Sequence, residues 1–211
     1  MNEEKGGLLG FFQGLNLPNK LTLLRVLLTP VYLLLMWRAR NHAPMLSALL
    51  RWAALVVFLA ASLTDMLDGQ IARRRGLITN FGKFMDPIAD KILTHTAFIL
   101  FTAYGELSPL ACIVFVAREF VVGALREIAA DQGVVIAAGM SGKVKTVLQM
   151  ALIVLLTIPW GTYYTRGGVM PLWMMGCETL TTLLTIAAVL MTLYSMAEYV
   201  YKNRQVLGGD R

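Results

Sequence analysis

Four aspartates lie where one apolar stretch of the sequence ends and the next begins. Asp65 and Asp68 end the first stretch, and Asp86 and Asp90 begin the second. An aspartate at the centre of a membrane helix costs about 2.5–3.5 kcal/mol on insertion scales, and acidic groups held together also repel one another. Positive charge is therefore expected among them, either from the basic side chains of the intervening segment or from bound cations.

The spacing of these aspartates predicts two polar helix faces. Residues three and four apart on a helix lie on the same side. Each face also carries small residues, which allow close approach either of a ligand or of another helix. The first face is expected to hold Asp65, Asp68, Gly69 and Ala72, and the second Gly82, Asp86 and Asp90. Because Pro87 follows Asp86, the sequence also predicts Asp86 as an N-cap with Pro87 as the first helical residue.

The residue types favour hard metal ions. Carboxylate oxygens without histidine or cysteine nearby select Mg²⁺, Mn²⁺ or Ca²⁺ rather than zinc. Two divalent ions balance four carboxylates, and a metal pair about 3.5–4 Å apart is a common arrangement for displacement at phosphorus. The neighbouring arginines, residues 73–75, can serve as counter-ions or as phosphate ligands. Metal-assisted phosphoryl-group chemistry is the hypothesis, without any indication of the sugar, base or lipid.

The composition places this chemistry in a membrane. The chain has 211 residues, of which 57% are hydrophobic and 15% charged, with a mean hydropathy of +0.63. This excludes a separate soluble catalytic domain. The net charge of +6 comes from basic residues between apolar runs, which favours anionic lipids and phosphorylated substrates over nucleic acid.

The apolar runs predict an all-α integral membrane bundle of six transmembrane helices in a single domain, residues 1–211. The segment from Gly7 to Leu17 is either a short interfacial helix or a frayed terminus. The distribution of lysine and arginine predicts cytoplasmic termini, with the aspartates on the cytoplasmic side. The predicted spans are Leu21 to Trp37, Trp52 to Leu67, Phe84 to Tyr104, Leu110 to Ala130, Val144 to Trp160 and Leu172 to Tyr199.

Residues 65–90 read D-x2-D-G-x2-A-R-x8-G-x3-D-x3-D. This pattern resembles the signature of the CDP-alcohol phosphotransferase family at all eight fixed positions. The resemblance implies a six-helix enzyme of the cytoplasmic membrane, usually a homodimer. Such an enzyme moves a phosphatidyl-type group from a CDP-linked donor to an alcohol and releases CMP.

The resemblance also implies roles for individual residues. Asp65, Asp68, Asp86 and Asp90 are expected to bind two Mg²⁺ or Mn²⁺ ions, with Asp90 as the general base. The Pro18-Asn19-x2-Thr22-x2-Arg25 segment resembles a family element near the nucleotide, although a capped and anchored helix start explains it as well. The expected nucleotide and donor ligands are Asn19, Thr22, Arg25, Gly69, Ala72, Arg73 and Gly82.

Two further segments concern the acceptor. Arg118-Glu119 with Arg126-Glu127, and the Ser141–Gln149 segment, resemble the branch of the family that transfers the phosphatidyl group of CDP-diacylglycerol to sn-glycerol 3-phosphate. A phosphorylated acceptor requires cations that a neutral alcohol does not. The candidates are Arg118, Arg126, Lys143 and Lys145.

Other interpretations stay open at this point. Arg118 can instead pair with Glu119 or Glu127, while Lys143 and Lys145 act as positive-inside anchors. The acceptor can be phosphatidylglycerol, inositol phosphate or serine. A divalent-cation transporter is the alternative from a different class, although its acidic site is expected near mid-membrane.

Overall fold

The computed structural model describes residues 16–75, 80–137, 139–160 and 171–208, and for residues 65–75 and most of residues 80–90 it describes the backbone alone. Every regular element in these ranges is a helix, which confirms the all-α class for the described part of the chain. The helices are α1 (Leu17–Arg40), α2 (Pro44–Arg75), α3 (Asn80–Ala103), α4 (Pro109–Asp131), α5 (Met140–Thr157), α6 (Leu172–Lys202) and α7 (Arg204–Leu207). The predicted interfacial helix from Gly7 lies almost wholly outside the described residues.

Four described segments are long and apolar enough to cross a membrane: Asn19–Arg40, Pro44–Thr64, Met140–Thr157 and Leu172–Lys202. The chain is therefore a multi-pass membrane protein, but the predicted count of six spans is not confirmed. In α3 the apolar stretch among the described residues is only Lys91–Ala103. In α4 every 18-residue window contains Arg118, Glu119 and Arg126, so charge interrupts its hydrophobic character.

Helix boundaries differ from the prediction around the aspartates. Three helices have a proline in their first turn, Pro18, Pro44 and Pro109, where its missing N–H is not needed. By contrast α3 begins at Asn80, six residues before Asp86, so the prediction of Asp86 as an N-cap is wrong. Pro87 is the eighth residue of α3, two turns into the helix, where it lacks the N–H that would otherwise bond to the carbonyl oxygen of Lys83. The proline was therefore a misleading start signal.

The chain divides into two compact units, Met1–Ala97 and Phe98–Arg211. In the first unit, α1 packs along α2. Tyr32 of α1 and Phe58 of α2 are both buried, with ring centroids 5.8 Å apart. Small buried residues of α2 such as Ala54 and Ala61 allow close packing of the two helices.

In the second unit, α6 packs against both α4 and α5. Its apolar contacts include Tyr199, which clusters with Val122 and Leu125 of α4. Gly133 ends α4 with a φ of 72°, a backbone conformation that side chains disfavour. The following N–H of Val134 returns to the carbonyl oxygen of Ala129 at 2.8 Å, a helix-ending motif that caps the last turn.

Candidate active site

The backbone of the first unit carries the four motif aspartates on two helices. Asp65 and Asp68 lie on α2, and Asp86 and Asp90 lie on α3. Their spacings of three and four residues on continuous helix place each pair along one helix face. The structure describes only the backbone of these four aspartates, and the same holds for Gly69, Ala72 and Arg73. Among the residues that the structure describes, no group of three or more His, Cys, Asp or Glu side chains could hold a metal ion.

Asn19, Thr22 and Arg25 follow one another at three-residue intervals on one face of α1, and that face is buried. Asn19, Thr22 and Arg25 are 4%, 1% and 2% exposed, respectively. The Nε atom of Arg25 donates a hydrogen bond to the carbonyl oxygen of Ala61 on α2 at 3.4 Å. Burial of this kind does not fit an interfacial anchor, because anchoring side chains extend toward water. Asn19 is not the helix cap either, since Asn16 occupies that position.

Gly82, the only small motif residue whose burial the structure describes, is also buried. It lies in the first turn of α3, one turn before Asp86. A buried glycine at this place allows a close approach to the helix backbone.

The second unit contains a buried ion-pair cluster. The Nη1 atom of Arg118 donates to Oε1 of Glu119 at 2.9 Å, and the Nζ atom of Lys145 on α5 donates to the same oxygen. The side chains of Arg118, Glu119 and Lys145 are 10%, 17% and 5% exposed. We refer to these three residues as the 118/119/145 cluster. Two cations and one carboxylate leave it with one net positive charge.

Helix α6 completes the surroundings of Arg118. Its Nη2 atom donates to the hydroxyl of Ser195 at 3.3 Å. A Cβ atom on Gly142 would lie 3.3 Å from the same nitrogen, so the absence of a side chain there lets α5 approach the guanidinium closely. The Nε atom of Arg118 is buried and has no hydrogen-bond partner among the described residues. Nε is therefore a donor atom of the cluster that makes no hydrogen bond to the described residues.

The Ser141–Gln149 segment forms the first half of α5 and contacts α6 through polar side chains. Gln149 Nε2 donates to Thr192 Oγ1 at 3.2 Å, and both residues are buried. At the start of the helix, Ser141 lies close to Glu198 of α6. These contacts hold the turns of α5 that carry Gly142 and Lys145.

The structure groups only two of the four predicted acceptor cations. Arg118 and Lys145 share Glu119, whereas Lys143 is exposed. Arg126 lies two turns along α4, about 12 Å from Arg118 by helical rise. Its Nε atom donates to the hydroxyl of Tyr199 at 3.1 Å, and its guanidinium also lies over that ring.

Sequence reasoning named no site residue on α6. Thr192, Ser195 and Tyr199 recur every three to four residues in an otherwise apolar helix and are all buried. That spacing is a signal for one polar face directed at neighbouring helices. Glu119 was noted only as a partner of Arg118, and its contact with Lys145 was not foreseen.

These features define a multi-pass membrane protein with a buried cationic cluster of the kind that suits phosphorylated ligands. The profile of the CDP-alcohol phosphatidyltransferases matches residues 15–194. This chain belongs to the CDP-alcohol phosphatidyltransferase family and is a phosphatidyltransferase enzyme.

Named relatives extend over most of the chain. A CDP-diacylglycerol–glycerol-3-phosphate 3-phosphatidyltransferase of Bacillus subtilis is 34% identical over 200 residues, covering 91% of this chain and 97% of its own. A protein of the same name from Rickettsia typhi is 42% identical over 135 residues, 64% of this chain and 72% of its own. A probable phosphatidylglycerophosphate synthase of Mycobacterium tuberculosis is 34% identical over 208 residues, 99% of this chain and 91% of its own.

Proposed function

We propose that the protein transfers the phosphatidyl group of CDP-diacylglycerol to sn-glycerol 3-phosphate, forming phosphatidylglycerophosphate and CMP. Relatives named for this reaction align with nearly the whole chain, and the resemblance of residues 65–90 to the family signature is complete. The structural observation that carries the choice of acceptor is the burial of Arg118 and Lys145 in one cluster. Burying two cations in a membrane helix bundle costs free energy. A bound phosphate would form charge-assisted hydrogen bonds with both cations and offset part of that cost.

The donor half of the proposal rests on α1, α2 and α3. Asp65, Asp68, Asp86 and Asp90 are proposed to hold two Mg²⁺ or Mn²⁺ ions, because the donor set consists of carboxylates spaced along single faces of two helices. When bound, such ions neutralise charge on the phosphates and on the departing CMP. The groups proposed to bind the nucleotide and pyrophosphate are Asn19, Thr22, Arg25, Gly69, Ala72, Arg73 and Gly82.

The reaction then requires a base and an exchange of bonds at phosphorus. Asp90 is proposed to take the proton from the acceptor hydroxyl. The hydroxyl oxygen forms a bond to the phosphorus that carries diacylglycerol, and the bond from that phosphorus to the bridging oxygen of CMP breaks. CMP leaves with the electron pair of that bond.

The acceptor half rests on the second unit. Arg118 and Lys145 are proposed to bind the phosphate of glycerol 3-phosphate through charge-assisted hydrogen bonds. Arg118 presents a planar fork of donors suited to phosphate, and its Nε atom is uncommitted among the described residues. Arg126 and Lys143 remain predicted contributors that mutation must test.

The membrane location, oligomeric state and orientation of the enzyme are also proposed. We place the enzyme in the cytoplasmic membrane as a single domain with six spans, acting as a homodimer with its active site toward the cytoplasm. The positive-inside distribution of lysine and arginine supports this orientation. The six long helices α1 to α6 overlap the six predicted ranges, which supports the proposed number of spans.

A panel of acceptors tests the function. Purified protein with Mg²⁺ and CDP-diacylglycerol is given one labelled alcohol at a time: glycerol 3-phosphate, serine, inositol phosphate or phosphatidylglycerol. Label is expected in lipid only with glycerol 3-phosphate, and chelation of the metal should abolish it. Incorporation of a different alcohol alone would reassign the acceptor, and uptake of Mg²⁺ into proteoliposomes without lipid substrate would favour a transporter.

A further inference from the structure

Glu119 is the residue on which Arg118 and Lys145, the two buried cations that the structure describes in the second unit, converge. A single carboxylate oxygen, Oε1, accepts hydrogen bonds from Arg118 Nη1 and Lys145 Nζ. The two cations come from different helices, α4 and α5, and are separated by 27 positions in the chain. Glu119 therefore fixes their separation.

The contacts around Arg118 leave its guanidinium little freedom. Glu119 holds Nη1, Ser195 holds Nη2, and the close approach of Gly142 restricts the space beside Nη2. The third nitrogen, Nε, is buried without a partner among the described residues. Three contacts thus orient the group.

We propose that Glu119 is a positioning residue, which holds Arg118 and Lys145 as a preformed pair for the phosphate of the acceptor alcohol. This inference rests on the proposed function. Without the carboxylate, two like charges buried side by side repel each other, and Lys145 loses its ion pair with Glu119. The acceptor must then bring Arg118 and Lys145 together as it binds. The free energy spent on ordering the two side chains weakens ground-state binding of the acceptor.

The effect should appear mainly in one kinetic constant. Because the preformed pair binds the acceptor phosphate, which is not the reacting atom, its loss should raise KM for glycerol 3-phosphate and leave kcat nearly unchanged. KM for CDP-diacylglycerol should also stay unchanged. A merely structural role of Glu119 would instead lower the amount of active enzyme, which reduces apparent kcat without changing either KM.

Three variants of the full-length protein test the inference. Glu119→Gln removes the charge at nearly constant size, and KM for glycerol 3-phosphate is expected to rise at least about tenfold. Glu119→Asp keeps the charge on a shorter stem and is expected to raise KM by only about threefold, a partial rescue. Glu127→Gln is the matched control, since Glu127 lies two turns further along α4 and is exposed. Its kinetic constants should equal those of the wild type.

A double-mutant cycle keeps the test valid if Glu119→Gln folds poorly. Lys145→Met removes one of the two buried cations, so combining it with Glu119→Gln leaves less uncompensated charge. In the Lys145→Met background, Glu119→Gln should raise KM by a much smaller factor than in the wild type. Equal factors in both backgrounds would show that Glu119 does not act through Lys145, and the inference would be wrong.

The outcomes separate this inference from the proposed function. If the wild type transfers to glycerol 3-phosphate but Glu119→Gln retains its KM, only the positioning role fails. If the wild type does not use glycerol 3-phosphate at all, the proposed function fails with it.

Discussion

Arg25 of α1 is joined to Ala61 of α2 by a hydrogen bond from its Nε atom to the backbone carbonyl oxygen, at 3.4 Å. Ala61 lies one helical turn before Asp65, and the guanidinium is only 2% exposed. The contact therefore ties the polar face of α1 to the part of α2 that leads into the aspartate motif.

Replacing Arg25 by lysine should impair both packing and catalysis. Lysine keeps the charge but lacks the planar donor group, and loss of a buried charged hydrogen bond costs about 1–3 kcal/mol. We expect turnover to fall at least about tenfold, measured as CMP release. Arg38→Lys is the control, because Arg38 is an exposed residue near the other end of α1. Equal activity of the two variants would contradict a role for Arg25.

Asp86→Asn tests the carboxylates of the motif. The amide is nearly the same size but carries no negative charge, so the proposed metal site loses one anionic ligand. We expect CMP release to fall at least about a hundredfold, while the thermal unfolding temperature stays near that of the wild type. Asp131→Asn, at the exposed end of α4, should leave both quantities unchanged. Turnover near the wild-type rate in Asp86→Asn would refute the role.

Two lysines of α5 form a matched pair for the acceptor site. Lys145 is buried against Glu119, whereas Lys143 is exposed. We expect Lys145→Met to raise KM for glycerol 3-phosphate at least about tenfold and Lys143→Met to raise it less than about threefold. Comparable increases in both variants would mean that burial does not identify the phosphate ligand.

Ser195→Ala probes the support that α6 gives to Arg118. The substitution removes the hydroxyl that accepts a hydrogen bond from Nη2. A hydrogen bond of this kind contributes about 0.5–1.5 kcal/mol, so KM for glycerol 3-phosphate should rise about three- to tenfold.

Thr182→Ala serves as the control for Ser195→Ala. The hydroxyl of Thr182 is exposed and bonds only to the carbonyl oxygen of Glu178 in its own helix. Its KM values should match those of the wild type. A rise in KM for CDP-diacylglycerol as well in Ser195→Ala would indicate a general loss of packing rather than an effect on the acceptor site.

The sequence predicts well what depends on local pattern. Long apolar runs predicted the helices, and the three-residue spacing of Asn19, Thr22 and Arg25 places them on one face of α1, which is buried. The local signal for a helix start was misleading at Pro87. Pro87 indicated a helix start, but the helix begins seven residues earlier, at Asn80, and continues through the proline.

Contacts between helices were not predictable in the same way. The pairing of Glu119 with Lys145 depends on how α4 and α5 pack, and no local periodicity encodes it. The contact between Arg118 and Ser195 spans 77 positions. The spacing of Thr192, Ser195 and Tyr199 indicates a polar face on α6. It does not indicate which residues of the other helices that face contacts.

The most direct test of the central claim follows CMP release from CDP-diacylglycerol by the purified wild-type protein with Mg²⁺, before and after addition of glycerol 3-phosphate. The account predicts negligible release before the addition and, after it, CMP in equal amount to newly formed phosphatidylglycerophosphate. CMP release at the same rate without the acceptor, or release without transfer of glycerol 3-phosphate to lipid, would contradict it.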